Sequence, residues 1–227
     1  MASKKVYAVK IGKTTGIFTS WDECKASVDG FPGAQYKGFS SLAEAESYLG
    51  IVSSKEDTLS EEDIPPKGRL LAYVDGSYED SIKKYAFGCV FILPDGRIYT
   101  EYGNGDNPQS LQHRNVTGEM LGAMYATRVA MKNGYHEVEI RFDYEGIQKW
   151  ATGEWKCNHE LTQKYAQAMK EWGKEIRILF TKVAAHSNVR FNELADSLAK
   201  EGLEAANGVP AVKKLEEMKI YGADSVE

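Results

Sequence analysis

Residues 70–77, Leu70-Leu71-Ala72-Tyr73-Val74-Asp75-Gly76-Ser77, read as an apolar strand that closes on an acid. An acid after five largely apolar strand residues is atypical, because Asp is depleted in strands that border a core. Three more carboxylates stand at element boundaries. Glu119 lies in Thr117-Gly118-Glu119-Met120, Asp143 follows Val138-Glu139-Ile140-Arg141-Phe142, and Asp196 ends Asn192-Glu193-Leu194-Ala195-Asp196. Taken singly, Glu119 or Asp196 reads as a helix cap or a solvated charge. Brought together from distant segments, the four acids repel one another unless cations neutralise them, so the set predicts a site for a hard divalent metal.

Working outward, Tyr85 to Leu93 and Ile98 to Tyr102 are β-rich and are separated by the turn Pro94-Asp95-Gly96-Arg97, which predicts an antiparallel meander with the first strand. From Glu119 to Lys132, small and apolar residues recur at three and four, and Asn133-Gly134 ends the helix they predict. Strands at 137–142 and 176–184 and helices at 146–151, 161–174 and 191–205 complete the order βββαβααβα. The fold class is α/β, a mixed five-stranded sheet flanked by helices. In the tail from Asn207 to Glu227, Val212 to Ile220 could add one more helix.

Upstream, residues 51–68 turn polar and acidic and end in Pro65-Pro66, a composition that buries too little apolar area to order itself. It reads as a flexible linker between a domain at 1–50 and one at 69–206, with 207–227 as a C-terminal tail. The first domain reads as a small ββαβα unit: strands at 6–11, 16–19 and 36–39, a helix at 21–29, and a second helix at 41–49 with Ser41 and Glu44 as a capping box.

The chain has 227 residues, 42% hydrophobic and 27% charged, enough for one sizeable core and a small module. No segment approaches the roughly 20 apolar residues that cross a bilayer, and the N-terminus has no apolar signal core, so the expected location is the cytosol, away from membranes. Cys24, Cys89 and Cys157 are isolated from one another and suggest neither disulfides nor zinc. A net charge of −5 argues against a protein that holds nucleic acid by bulk charge alone; the slightly basic stretch is residues 1–50.

In such a sheet, Asp75 and Asp143 at neighbouring strand ends, with Glu119 and Asp196 closing in from helices, suit one or two Mg²⁺ or Mn²⁺ ions, roughly 3.5 to 4 Å apart if there are two. The chemistry expected there is phosphodiester hydrolysis, one metal activating water and the other stabilising the leaving oxygen. His186, in Ala184-Ala185-His186-Ser187-Asn188 ahead of the last helix, is placed to move protons near working pH.

Asp75-Gly76-Ser77, Gly118-Glu119, Phe142-Asp143 and Ala185-His186-Ser187 followed by Asn192-Glu193-Leu194-Ala195-Asp196 together resemble the ribonuclease H family, type one, over about residues 70–205. The resemblance implies a two-metal endonuclease that cuts the RNA strand of an RNA/DNA hybrid, leaving a 5′-phosphate and a 3′-hydroxyl. It assigns metal binding to Asp75, Glu119, Asp143 and Asp196, turnover to His186, and substrate contacts to Gly76, Ser77 and Asn115. The N-terminal segment, with Val6-Tyr7-Ala8-Val9, Ser20-Trp21-Asp22-Glu23-Cys24 and Tyr36-Lys37-Gly38-Phe39, resembles the viroplasmin-like hybrid-binding domain, which implies a binding face of Tyr7, Trp21, Tyr36 and Lys37. Read on their own, Trp21 and Tyr36 could instead be core residues of a very small domain. The expected protein is a monomer without a small-molecule cofactor.

Three positions depart from the family pattern: Val116 where a second asparagine is common, Tyr144 after Asp143, and Gly38 after Lys37. The stretch 151–160 holds one lysine, so the basic protrusion of some family members is expected to be absent. Three other readings compete: a non-catalytic hybrid or duplex binder, a nuclease of the same fold acting on double-stranded RNA or branched DNA, and an interaction protein built around the viroplasmin-like module.

Overall fold

In the computed structural model of the chain, the described residues are 5–39, 45, 48, 49, 59, 63–183 and 190–222. They fall into two units, one within residues 1–58 and the other within 59–227.

In the first unit, β1 (Val6–Ile11) is the middle strand of an antiparallel sheet between β2 (Gly16–Phe18) and β3 (Gln35–Phe39). The helix α1 (Trp21–Val28) is capped by Ser20, whose hydroxyl accepts the Glu23 amide at 3.3 Å, and Asp22 and Glu23 in its first turn complement the helix dipole. Ala8, Val9 and Cys24 are buried beneath it. Ala45, Tyr48 and Leu49 are helical; the rest of the predicted second helix, with its Ser41 to Glu44 cap, lies outside the described residues.

The second unit is built on a six-stranded sheet in the order β8-β7-β4-β5-β6-β9. Its strands are β4 (Arg69–Glu79), β5 (Lys84–Ile92), β6 (Ile98–Gly105), β7 (Glu137–Phe142), β8 (Arg177–Lys182) and β9 (Lys219–Ile220). β4, β5, β6 and β9 pair antiparallel, whereas β4, β7 and β8 pair parallel, so the expected mixed sheet is present with one strand more than five. The extra strand comes from the tail, and it replaces the expected helix over 212–220. Side chains of the helix α2 (Asn115–Lys132) and its cap bind the tail's backbone groups: Tyr125 donates to the Ala211 carbonyl at 3.2 Å, and Asn133 accepts from the Leu215 amide at 3.0 Å. Only one 3₁₀ turn, Leu215–Glu217, forms before Ile220 pairs with Tyr99.

Strand alternation gives the sheet two apolar faces. Leu70, Ala72 and Val74 of β4 meet α2 and the helix α4 (Glu160–Trp172), while Leu71 and Tyr73 meet Phe191, Ala195 and Leu198 of α5 (Arg190–Ala205). The short helix α3 (Gly146–Thr152) follows β7 and ends on Gly153 in the left-handed conformation. Asn104 of β6 fastens the far end of α5 by donating to the carbonyls of Gly202 (2.9 Å) and Ala206 (2.6 Å).

The second unit also includes the end of the predicted linker. Leu59 packs with the α5-side cluster, and Asp63 accepts hydrogen bonds from Tyr73 and Arg141, each at 2.8 Å. Residues 51–58 and 60–62 lie outside the described residues.

Candidate active site

Two elements differ in extent from their sequence reading, and both bear on the acids. β4 does not end at Gly76 but continues to Glu79, because residues 76–79 pair with 84–87 of β5. Asp75 is therefore within a strand, although its parallel pairing to β7 stops at Tyr73 with Arg141, which opens that side of the strand. α2 begins at Asn115, four residues before Glu119, so Glu119 is in its second turn and not at its start. The first turn lacks the apolar spacing by which a sequence pattern reveals a helix, and Arg114 at its cap has φ 49° and ψ −127°, a strained conformation for a residue with a Cβ.

Glu119 is only 2% exposed. Its Oε1 accepts the Tyr144 amide at 3.2 Å, and the Asp143 amide also points to it, so the loop leaving β7 is clamped onto α2 through this carboxylate. Burial and the neighbouring Asp143 and Asp75 push its pKa well above the ordinary carboxylate value. Asp75 accepts the Gly76 amide at 2.6 Å, yet burial, with Asp143 and Asp196 nearby, raises its pKa to about 7. Asp196, in the second turn of α5, is held by Lys200 at 2.6 Å, and that ammonium also lies near enough to oppose the rise at Asp75. Asp75 thus feels the charge of Asp143 and Asp196, and Glu119 that of Asp143 and Asp75. Among the described residues, no three His, Cys, Asp or Glu side chains are already drawn together as tightly as the ligands of an ion.

The donor set fits a divalent cation on chemical grounds. All four candidates offer hard carboxylate oxygens, and burial with neighbouring acids disfavours the charged form of two of them, Asp75 and Glu119, a cost that a cation of two charges relieves. Of the other predicted residues, Gly76 and Asn115 are in backbone contact beside Glu119, and Ser77 follows on β4. His186 lies outside the described residues.

Sequence reading missed an aromatic group next to the acids. Tyr144, Trp150 and Trp155 form a mutual cluster with ring centroids 5.8 to 6.3 Å apart, and Lys149 lies over the Trp155 ring at 5.1 Å. They line a groove of about 470 Å³ with His113, Val116 and Thr162. The signal was there in Tyr144, Trp150 and Trp155, but those residues straddle a short helix and a loop, so no single period exposes them.

In the first unit, Tyr7, Trp21 and Tyr36 form one row, with ring centroids 5.4 Å and 5.8 Å apart. Trp21 is 41% and Tyr36 44% exposed, so neither is a core residue. Lys37 alternates to the other face of β3, its Nζ 5.5 Å from the Phe39 ring centroid.

Comparison with known proteins was decisive for the second unit: residues 67–204 match the family model described as RNase H. The chain belongs to the ribonuclease H family. Residues 5–49 match a second model, the ribonuclease H1 N-terminal domain, so both parts of the sequence resemblance are borne out. Among its ribonuclease H1 relatives, the mouse protein is 45% identical over 252 residues and the human protein 34% over 254; in each case 86% of this chain aligns with 88% of the relative. The crystal structure of RNase H1 from the halophilic archaeon Halobacterium salinarum superposes with a TM-score of 0.51 at 26% identity, covering 61% of this chain and 99% of that one. As a ribonuclease H, the chain is a nuclease, and the mixed sheet with helices on both faces is the family fold. No helix among the described residues is long and apolar enough to cross a membrane.

Proposed function

We propose that this protein is an endonuclease that hydrolyses the RNA strand of RNA/DNA hybrids with the help of two Mg²⁺ ions, for which Mn²⁺ can substitute, leaving 5′-phosphate and 3′-hydroxyl ends. The observation that supports this best is the pairing of Asp75 with Glu119: two carboxyl groups share a desolvated spot with Asp143 and Asp196 nearby, an arrangement unfavourable to a fold and suited to cations. Asp75, Glu119, Asp143 and Asp196 would hold the ions, which when bound lower the pKa of water and neutralise charge on the scissile phosphate.

The chain's own groups do the positioning. The Gly76 amide fixes one oxygen of Asp75, and the Tyr144 amide fixes one of Glu119. Gly76, Ser77 and Asn115 would meet the RNA strand, where the 2′-hydroxyl is the group that tells RNA from DNA. His186 would pass a proton to the leaving oxygen. The row Tyr7, Trp21 and Tyr36 would stack on the DNA strand, Lys37 lying on the opposite face of β3, and the shelf of Tyr144, Trp150 and Trp155 offers a second stacking surface. Residues 1–50 would be the hybrid-binding domain, 51–68 the linker, 69–206 the catalytic domain and 207–227 a tail. The protein would act as a monomer in the cytosol, without a small-molecule cofactor.

The test is incubation of the full chain with end-labelled RNA/DNA hybrid, RNA duplex and DNA duplex, with Mg²⁺ or with chelator. Cleavage confined to the RNA of the hybrid and dependent on the metal is expected. Binding of the hybrid without cleavage would point to a non-catalytic binder, and cleavage of the RNA duplex would reassign the substrate.

A further inference from the structure

Asp63 stands before residue 67, where the match to the ribonuclease H family begins, in a stretch whose composition marks it as linker. Its carboxylate nevertheless reaches the back of the active site. Oδ1 accepts from the Tyr73 hydroxyl at 2.8 Å and from Arg141 Nη1 at 2.8 Å, and Arg141 Nη1 lies 2.5 Å from the same hydroxyl. The guanidinium also stacks over the Tyr73 ring, 5.2 Å from its centroid, and its Nε donates to Glu139 at 3.1 Å.

Tyr73 and Arg141 are the last register pair of β4 with β7. Two residues further along the same strands come Asp75 and Asp143, and the alternation of strand side chains puts Asp75 on the face of Tyr73. Two residues of strand span roughly 6.6 Å, a distance that an arginine side chain can cover. Arg141 is thus a long, permanently charged cation one rung below acids that attract cations. An arginine turned toward those acids would occupy the place of a metal ion.

We infer that Asp63 is a positioning residue of the active site: by holding Arg141 against Tyr73, it keeps the guanidinium out of the carboxylate cluster and leaves the cluster open to divalent cations. The inference rests on the metal-binding reading given above. It makes the stretch ahead of the family match, at the start of the second unit, part of the site's support, acting through Arg141.

The experiment is calorimetric titration of Mn²⁺ into the full chain without substrate, for the wild type, Asp63→Asn, Arg141→Gln and the double variant. Asp63→Asn should weaken Mn²⁺ binding about tenfold, a coupling ordinary for residues of one network. The double variant should bind within about twofold of Arg141→Gln, because without the guanidinium there is nothing to restrain. Asp63→Glu, which keeps the carboxylate, should recover most of the affinity. If Asp63→Asn does not fold, Tyr73→Phe removes one of the groups that hold Arg141 and should weaken Mn²⁺ binding in the same direction. Unchanged affinity in the folded single variants, or a double variant as weak as Asp63→Asn, would overturn the inference while the metal site stands. A wild type that binds no Mn²⁺ would overturn the metal reading, and this inference with it.

Discussion

Gly76 and Asn115 meet backbone to backbone: a Cβ on Gly76 would lie 2.1 Å from the Asn115 carbonyl oxygen and 2.4 Å from the Glu119 amide nitrogen. α2 also touches β5, where a Cβ on Gly118 would lie 1.9 Å from the Ala86 carbonyl oxygen. The two glycines let the helix bring Glu119 up to Asp75. Neither neighbour is a flexible side chain, so Gly76→Ala has to move the helix. Its expected effects are a loss of about 3 kcal/mol in urea unfolding, at the upper end for overpacking, and a fall in kcat with the displacement of Glu119.

Glu119→Gln separates stability from activity. The amide keeps an oxygen to accept the Tyr144 hydrogen bond, but it removes a group whose ionised form is disfavoured by burial and by Asp143. Because the native pKa is raised, the folded protein binds more protons than the unfolded chain above the ordinary carboxylate pKa, and stability drains away as pH rises. In chelator, the variant should therefore gain stability relative to the wild type as pH rises from about 4 to 8. Its turnover should fall roughly 10²- to 10³-fold. Thermal unfolding at the two pH values and a single-turnover assay check both halves; a variant less stable at pH 8 than the wild type would contradict the electrostatic account.

Asp75 sets a pH limit on metal binding. Burial raises its pKa from the ordinary 3.8 to about 7, so between those values the folded, metal-free protein holds a proton that the unfolded chain has lost. That contribution is full below about pH 4, declines between about pH 4 and 7, and is lost once pH has climbed through 7. A divalent ion must displace the proton, so its apparent affinity should fall as pH drops below about 7, and binding should release protons. Titrating Mn²⁺ in two buffers of different ionisation enthalpy at pH 6 and pH 8 measures the release; an affinity independent of pH would show that Asp75 is not a ligand.

Most of the catalytic unit was legible because its signals are local. The run through Val74 is apolar and Asn133-Gly134 ends α2, so core elements showed themselves by period and stop residues. What stayed hidden depends on partners far along the chain. The strand at Lys219–Ile220 exists because Tyr99 offers an edge and α2 side chains tie down residues 211–215, and two residues have no period to read. The order at Asp63 comes from Arg141, 78 positions away, against the local composition. The four acids were legible as a set because the expected sheet puts strand ends together, whereas the burial of Glu119, only 2% exposed, was not.

The aromatic row of the first unit gives the last prediction. Trp21 lies between Tyr7 and Tyr36 with its ring largely in contact with both, yet it remains 41% exposed, so an alanine there removes a stacking surface with limited loss of core. Base or sugar stacking on one ring contributes about 1–3 kcal/mol, which for Trp21→Ala means a roughly 5- to 100-fold weaker hold on hybrid by this unit. A tethered second site acts through effective concentration, so the loss should appear in KM on long hybrids and leave kcat nearly unchanged. Removing residues 1–58 keeps Leu59 and Asp63 on the catalytic unit and should raise KM on long hybrids at least as much as Trp21→Ala does. On a hybrid too short to reach both units, neither change should matter. Steady-state kinetics on a long and a short hybrid distinguish this from a structural effect, which would lower kcat on both.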